Sequence, residues 1–104
     1  MARVVRSPRA KQDIAEVLRY TKERWGQAQA RKYRELIREA LKAIAADPDC
    51  GSQRFTARRD VRGYHIKQPG QNARHILFYR FGRSGAVEII RLLHDSMDFD
   101  RHLP

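Results

Sequence analysis

Along the first half of the chain, apolar positions recur at steps of three and four. Ala10, Ile14, Val17, Leu18, Thr21 and Trp25 place one apolar face on a helix from about Pro8 to Trp25, with Ser7 as its N-cap and Pro8 at its first position. Val4 and Val5, just before this start signal, fit a brief first strand. Gly26 interrupts the stripe. A second one, Ala30, Tyr33, Ile37, Ala40, Leu41 and Ile44, runs on to Asp47-Pro48, where proline ends the helix. Two amphipathic helices joined at one glycine predict a helical hairpin, with Trp25 completing the first stripe and packing in the hairpin. Each helix keeps a charged outer face, which excludes a membrane helix.

Asp47 to Arg59 has no period and reads as a loop that Phe55 anchors to the core. The period then changes to two. Val61–Gln68, Ala73–Phe81 and Ala86–His94 read as strands separated by Pro69-Gly70-Gln71-Asn72 and Gly82-Arg83-Ser84-Gly85, links short enough to require antiparallel neighbours. Pairing Phe81 with Ala86 would put Ile76, Phe78 and Arg80 on one face with Val87, Ile89, Arg91 and Leu93. Both faces are then largely apolar, as expected if helices cover one and a terminal segment or a partner covers part of the other. The expected fold is α+β, in the order β-α-α-β-β-β, with the hairpin packed on one face of a small antiparallel sheet. Residues 1–104 make one domain, with no internal repeat or low-complexity tract.

Charge narrows the classes of partner. The 104 residues hold 22 Lys or Arg against 12 Asp or Glu, a formal charge of +10. Arg54 to Arg91 concentrates nine of the basic residues against Asp60 and Glu88. Such a surface attracts polyanions and acidic protein surfaces. No run approaches the ~20 apolar residues of a membrane span, and Met1–Ala10 lacks the apolar core of a secretory signal, so the expected location is the cytoplasm. Cys50 alone can make no internal disulfide, and Asp47 and Asp49 beside it would raise its thiol pKa. The four histidines, at 65, 75, 94 and 102, have no metal-ligand spacing, and no glycine-rich phosphate loop is present, so neither metal nor cofactor is expected.

Two chemical readings remain. Arg80, Arg91 and His94 fall on or just past one parity of adjacent strands, and such a group could cleave an RNA phosphodiester: histidine for the proton, arginine for the phosphorane charge. The same arginines could instead meet solvent or acidic partner residues. Tyr64, Phe78, Tyr79 and Phe81 interleave with Arg62, Lys67, Arg74 and Arg80 loosely as in a nucleic-acid stacking sheet, but an RNP1 octapeptide is absent and the aromatics fall on both faces. The tail, with Leu92, Leu93, Met97, Phe99 and Leu103 among Asp95, Asp98 and Asp100, either folds back on the domain or contacts a partner, where Arg101 and His102 could add phosphate contacts.

An ordered set of residues resembles the ParE branch of the RelE/ParE toxin superfamily over nearly the whole chain. It comprises Ser7-Pro8 with Ala10, Asp13 and Ile14; Tyr20 with Trp25-Gly26; Ala40-Leu41 and Pro48; Gly63-Tyr64; His75 to Arg80; and Ile90 to His94 with Met97-Asp98 and His102-Leu103. The resemblance implies the toxin half of a type II toxin–antitoxin pair, acting on DNA gyrase and wrapped by a ParD-like antitoxin. Arg58, Arg59, Arg62, Arg80, Arg91, His94, Met97, Phe99, Arg101 and Leu103 are the expected partner contacts. In the ribonuclease branch the strand motif His-Arg-Leu-Val-Tyr carries a catalytic arginine; here the run is His75-Ile76-Leu77-Phe78-Tyr79, and the closing His-Tyr is His94-Asp95. An isoleucine stabilises no phosphorane, and Asp95 repels a phosphate. The resemblance therefore implies no catalytic residues, while a ribosome-dependent messenger-RNA endoribonuclease using Arg80, Arg91 and His94, or a plain nucleic-acid-binding module, stays as the alternative.

Overall fold

Ser7 does two jobs at the start of the first helix. In the computed structural model, which describes residues 1–66, 74–82 and 84–104, its hydroxyl accepts from the Ala10 N–H at 3.0 Å and donates to the Ile90 carbonyl at 3.0 Å. The cap thus ties helix α1 (Pro8–Trp25) to the sheet as well as satisfying a helical donor. Gly26, at φ +94°, turns the chain directly into α2 (Gln27–Ala46), which ends at an extended Asp47. The predicted hairpin therefore forms with the expected boundaries. The Pro69-Gly70-Gln71-Asn72 link, Lys67, Gln68, Ala73 and Arg83 lie outside the described residues.

The strands are β1 (Val4–Arg6), β2 (Arg62–His65), β3 (His75–Phe81) and β4 (Val87–His94), in the order β1-β4-β3-β2. The last three pair antiparallel, as their short links require. β1 joins on the outside of β4 and runs parallel to it, Val4 opposite Val87 and Arg6 opposite Ile89, so the sheet is mixed. The connection between this parallel pair runs through the helical hairpin and then β2 and β3.

The register corrects the sequence-based pairing. Phe81 lies opposite Val87, not Ala86, and an irregularity at Phe78/Tyr79 shifts the remainder so that Phe78 faces Arg91 and His75 faces His94. A bulge of this kind adds one residue to one strand and reverses the parity beyond it. Leu77, Tyr79, Val87, Ile89 and Leu92 accordingly share one core with Ala10, Ile14, Tyr33, Ile37 and Ile44 of the helices. On the opposite face Val61, Ile76, Phe78, Ile90 and Leu93 form a second core.

The tail covers that second core. Met97, Phe99 and Leu103 pack on it, and Phe99, opening the short helix α3 (Phe99–His102), sets its ring 6.1 Å from Phe55 and 5.0 Å from Phe78. Phe55 is the loop anchor that the sequence predicts. Gly63 is required beneath it, because a Cβ there would lie 2.5 Å from the Phe55 ring and 2.9 Å from Ile76. Trp25 departs from expectation: the buried stripe of α1 ends at Thr21, and the indole is 68% exposed. Periodicity reports which face of a helix is apolar, not how far the covering surface extends along it.

Candidate functional site

The principal cavity, of about 940 Å³, opens between α1 and the ends of β3 and β4 that carry His75 and His94. Its floor is an ion pair. Arg91 donates from Nε to Asp13 Oδ2 at 2.7 Å and from Nη2 to Oδ1 at 3.1 Å, and the Leu92 N–H donates to the same carboxylate at 3.0 Å. Both residues are buried, and the third donor of Arg91 reaches the His102 carbonyl at 3.0 Å. A planar guanidinium satisfied on both sides in this way bonds helix, strand and tail at one point.

Beside the pair lies a chain of polar rings. Tyr33 Oη sits 2.5 Å from His75 Nδ1, and the His75 and His94 rings meet edge to face at 5.2 Å. His94 Nδ1 accepts from the Ser96 N–H at 3.1 Å, with the Ser96 hydroxyl at 2.7 Å and Asp95 Oδ1 at 3.3 Å. Burial, and then the neighbouring His94, hold the His75 pKa down to about 4, against a smaller opposing pull from Asp95. Burial also holds the Tyr33 phenol well above its ordinary range. At neutral pH, then, both groups are uncharged, and one hydrogen bond joins the Tyr33 phenol to His75 Nδ1. Tyr20 and Trp25 form an aromatic wall on the α1 side, both largely exposed, and Arg9 and Arg74 stand among the residues that line the opening.

Of the residues proposed for RNA cleavage, the structure separates Arg80 from His94, while Arg91 borders both. Arg80 pairs across the strands with Glu88 at 3.2 Å and projects from the face opposite His94, because the bulge reverses the parity that would have joined them. Arg91 is committed to Asp13, and Asp95 stands at His94. Among the expected partner contacts, Arg58 bonds Asp60 at 2.9 Å and the Pro104 carbonyl, and Arg62 reaches Asp49 at 3.5 Å and the Gly51 carbonyl at 3.1 Å. Both arginines brace the loop. Arg59 and Arg101 are exposed, whereas Met97, Phe99 and Leu103 are partly covered by the second core instead of standing out as a partner surface. Cys50 is exposed, and partial burial with the Asp47 charge raises its thiol pKa. Among the described residues no three His, Cys, Asp or Glu side chains converge as a metal site would require.

Sequence reasoning missed the Tyr33–His75–His94 chain. Only the register sets His75 opposite His94, and only helix packing brings Tyr33 to them. The exposed aromatics were visible as Tyr20 and Trp25, but without a signal that they line one cavity.

Comparison with known proteins agrees with this architecture. The family model described as the ParE toxin of the type II toxin–antitoxin system, parDE, matches residues 4–99. Toxin ParE1 of Mycobacterium tuberculosis is 35% identical over 103 residues, 98% of each chain, and Toxin ParE1 of Caulobacter vibrioides is 37% identical over 97 residues, 93% of each. A structure described as the chromosomal ParDE TA system from P. aeruginosa superposes with a TM-score of 0.74, covering 90% of this chain and 96% of that one at 17% identity, a likeness of fold.

Proposed function

Given that the chain belongs to the ParE toxin family of type II toxin–antitoxin systems, we propose that it poisons DNA gyrase, without cutting RNA, and is neutralised by a ParD-like antitoxin. The observation that carries the choice between gyrase poison and ribonuclease is the state of the three candidate catalytic side chains. Arg80 faces Glu88, Arg91 is bonded to Asp13 and His94 lies against Asp95. An arginine that is to stabilise a phosphorane has to present unspent positive charge to it; Arg80 and Arg91 already face carboxylates, and Asp95 beside His94 repels a phosphate. Ile76, on the strand that carries an arginine in the ribonuclease branch, is buried in the second core and offers no charge at all.

An acidic, disordered antitoxin tail suits the +10 chain, since attraction between opposite charges speeds encounter and the tail orders on contact. The action is assigned to the cytoplasm, where gyrase and DNA are; among the described residues no helix is long and apolar enough to cross a membrane.

The test is expression with antitoxin withheld, scoring chromosomal breaks against messenger-RNA cleavage, alongside purified gyrase assayed for supercoiling and for trapped cleaved DNA. Breaks with intact messages are expected. Mapped cuts within ribosome-bound codons that vanish in His94→Ala would overturn the reading in favour of the ribonuclease.

A further inference from the structure

The cavity between α1 and the sheet is chemically graded from its floor to its opening. Its floor is electrically closed: Asp13 and Arg91 satisfy each other, and His75 is neutral with Nδ1 taken by Tyr33. One wall carries Tyr20 and Trp25, 58% and 68% exposed, large rings left in contact with water. The opening carries Arg74, exposed, and Arg9, whose side chain is 59% exposed and whose Nε lies 3.8 Å from Asp13 Oδ1, a long contact that leaves its Nη donors turned to solvent-accessible space. The one further acid on the lining, Glu16, accepts from Gln12 at 3.1 Å.

We propose that this cleft receives an unpaired nucleotide, its base stacked on the Tyr20–Trp25 wall above the imidazole and ion-pair floor, and its phosphate met at the opening by Arg9 and Arg74. A volume of about 940 Å³ lies within the range that small-ligand sites occupy. Aromatic rings beside guanidinium groups are how proteins hold single strands without reading sequence. A floor whose guanidinium is already matched by a carboxylate suits the uncharged polar edge of a base. An acidic peptide, the competing occupant, would need spare cations there to meet its carboxylates, and duplex DNA would keep its bases out of reach of the wall.

Trp25 is the single tryptophan of the chain, so its fluorescence reports on this wall alone. The intact protein is titrated with a short oligothymidylate at several salt concentrations, with duplex DNA of equal charge and a polyglutamate peptide in parallel. Saturable quenching by the single strand is expected, with affinity falling as salt rises by a slope of about −0.7 per phosphate neutralised. Tyr20→Ala should weaken binding about tenfold, and Arg74→Gln should weaken it and flatten the salt slope. Both side chains are exposed, so circular dichroism and thermal unfolding should be unchanged; if either variant unfolds, Arg9→Gln with the wild-type competition series decides. The proposal is overturned if the oligothymidylate gives no saturable quenching, if the folded variants bind as the wild type does, or if duplex or polyglutamate quenches equally well. None of these outcomes depends on whether gyrase is the target, which the supercoiling assay answers separately.

Discussion

Asp13 shows how much of this protein hangs on single side chains. It lies in the middle of an amphipathic helix, where sequence alone reads a carboxylate as a surface group, yet it is 6% exposed and accepts from Arg91 twice and from the Leu92 N–H. Removing one partner of a buried ion pair costs more than the pair contributes, because the other charge is left without solvent or counter-charge. Asp13→Ala should therefore lose about 3–5 kcal/mol in urea unfolding, and Asp13→Asn less, since an amide oxygen still accepts from Leu92. His75 gives the second residue-scale prediction. Its folded pKa of about 4 lies below the ordinary histidine value of 6.5, so the unfolded chain takes up the proton first as pH falls. Its share of stability is fully present above about pH 6.5 and is lost progressively as pH falls towards 4. Urea midpoints measured across that window should drop for the wild type and drop less for His75→Gln.

At the scale of elements, the helices were legible and the sheet register was not. Ser7, Pro8, Gly26 and Pro48 are local signals whose physics acts within a few residues, and α1 and α2 begin and end where they say. The register depends on one extra residue in β4 across from Phe78/Tyr79, and a run such as Ile89-Ile90-Arg91-Leu92-Leu93 is apolar enough on both faces to hide the shift. That single bulge parted Arg80 from His94, while leaving Arg80 and Arg91 along one groove, and created the His75–His94 contact. The parallel placement of β1 was equally silent, since three residues carry no pairing information of their own. Gly63 is the testable position in β2: with Phe55 and Ile76 inside contact distance of any Cβ, Gly63→Ala should cost about 1–3 kcal/mol and lower the melting temperature while leaving the helical dichroism intact.

For the molecule as a whole, the sheet carries a core on each face, and the two are closed differently. The helical hairpin closes one; the other is closed by Phe55 and by Met97, Phe99 and Leu103 of the tail, held through Arg91 to the His102 carbonyl and Thr56 to Asp100. Of the two roles the sequence allows the tail, the fold-back is the one formed here, and strand parity alone could not choose it because it does not say what covers the far face. A chain ending at Asp95 should lose about 2–5 kcal/mol, given that each of the three side chains is worth at most ~1.5–3 kcal/mol and is only partly buried. It should also bind a hydrophobic dye that the intact protein excludes. A truncated chain with an unchanged melting temperature would return the tail to the role of a partner contact.

The edge strand β1 also sets a clock. Ser7 bonds to Ile90 across 83 positions, and Val4 finds its partner only in Val87. On a ribosome adding about 5–20 residues each second, β1 waits about 4–17 s for that partner to be made. Throughout that interval the hairpin lacks the strand it packs on most, and Asp13 lacks Arg91, with only Arg9 of its own helix at hand. Folding is thus gated by the completion of translation through β4, and every molecule of this toxin passes through a period in which it is a growing chain with none of its functional surface assembled.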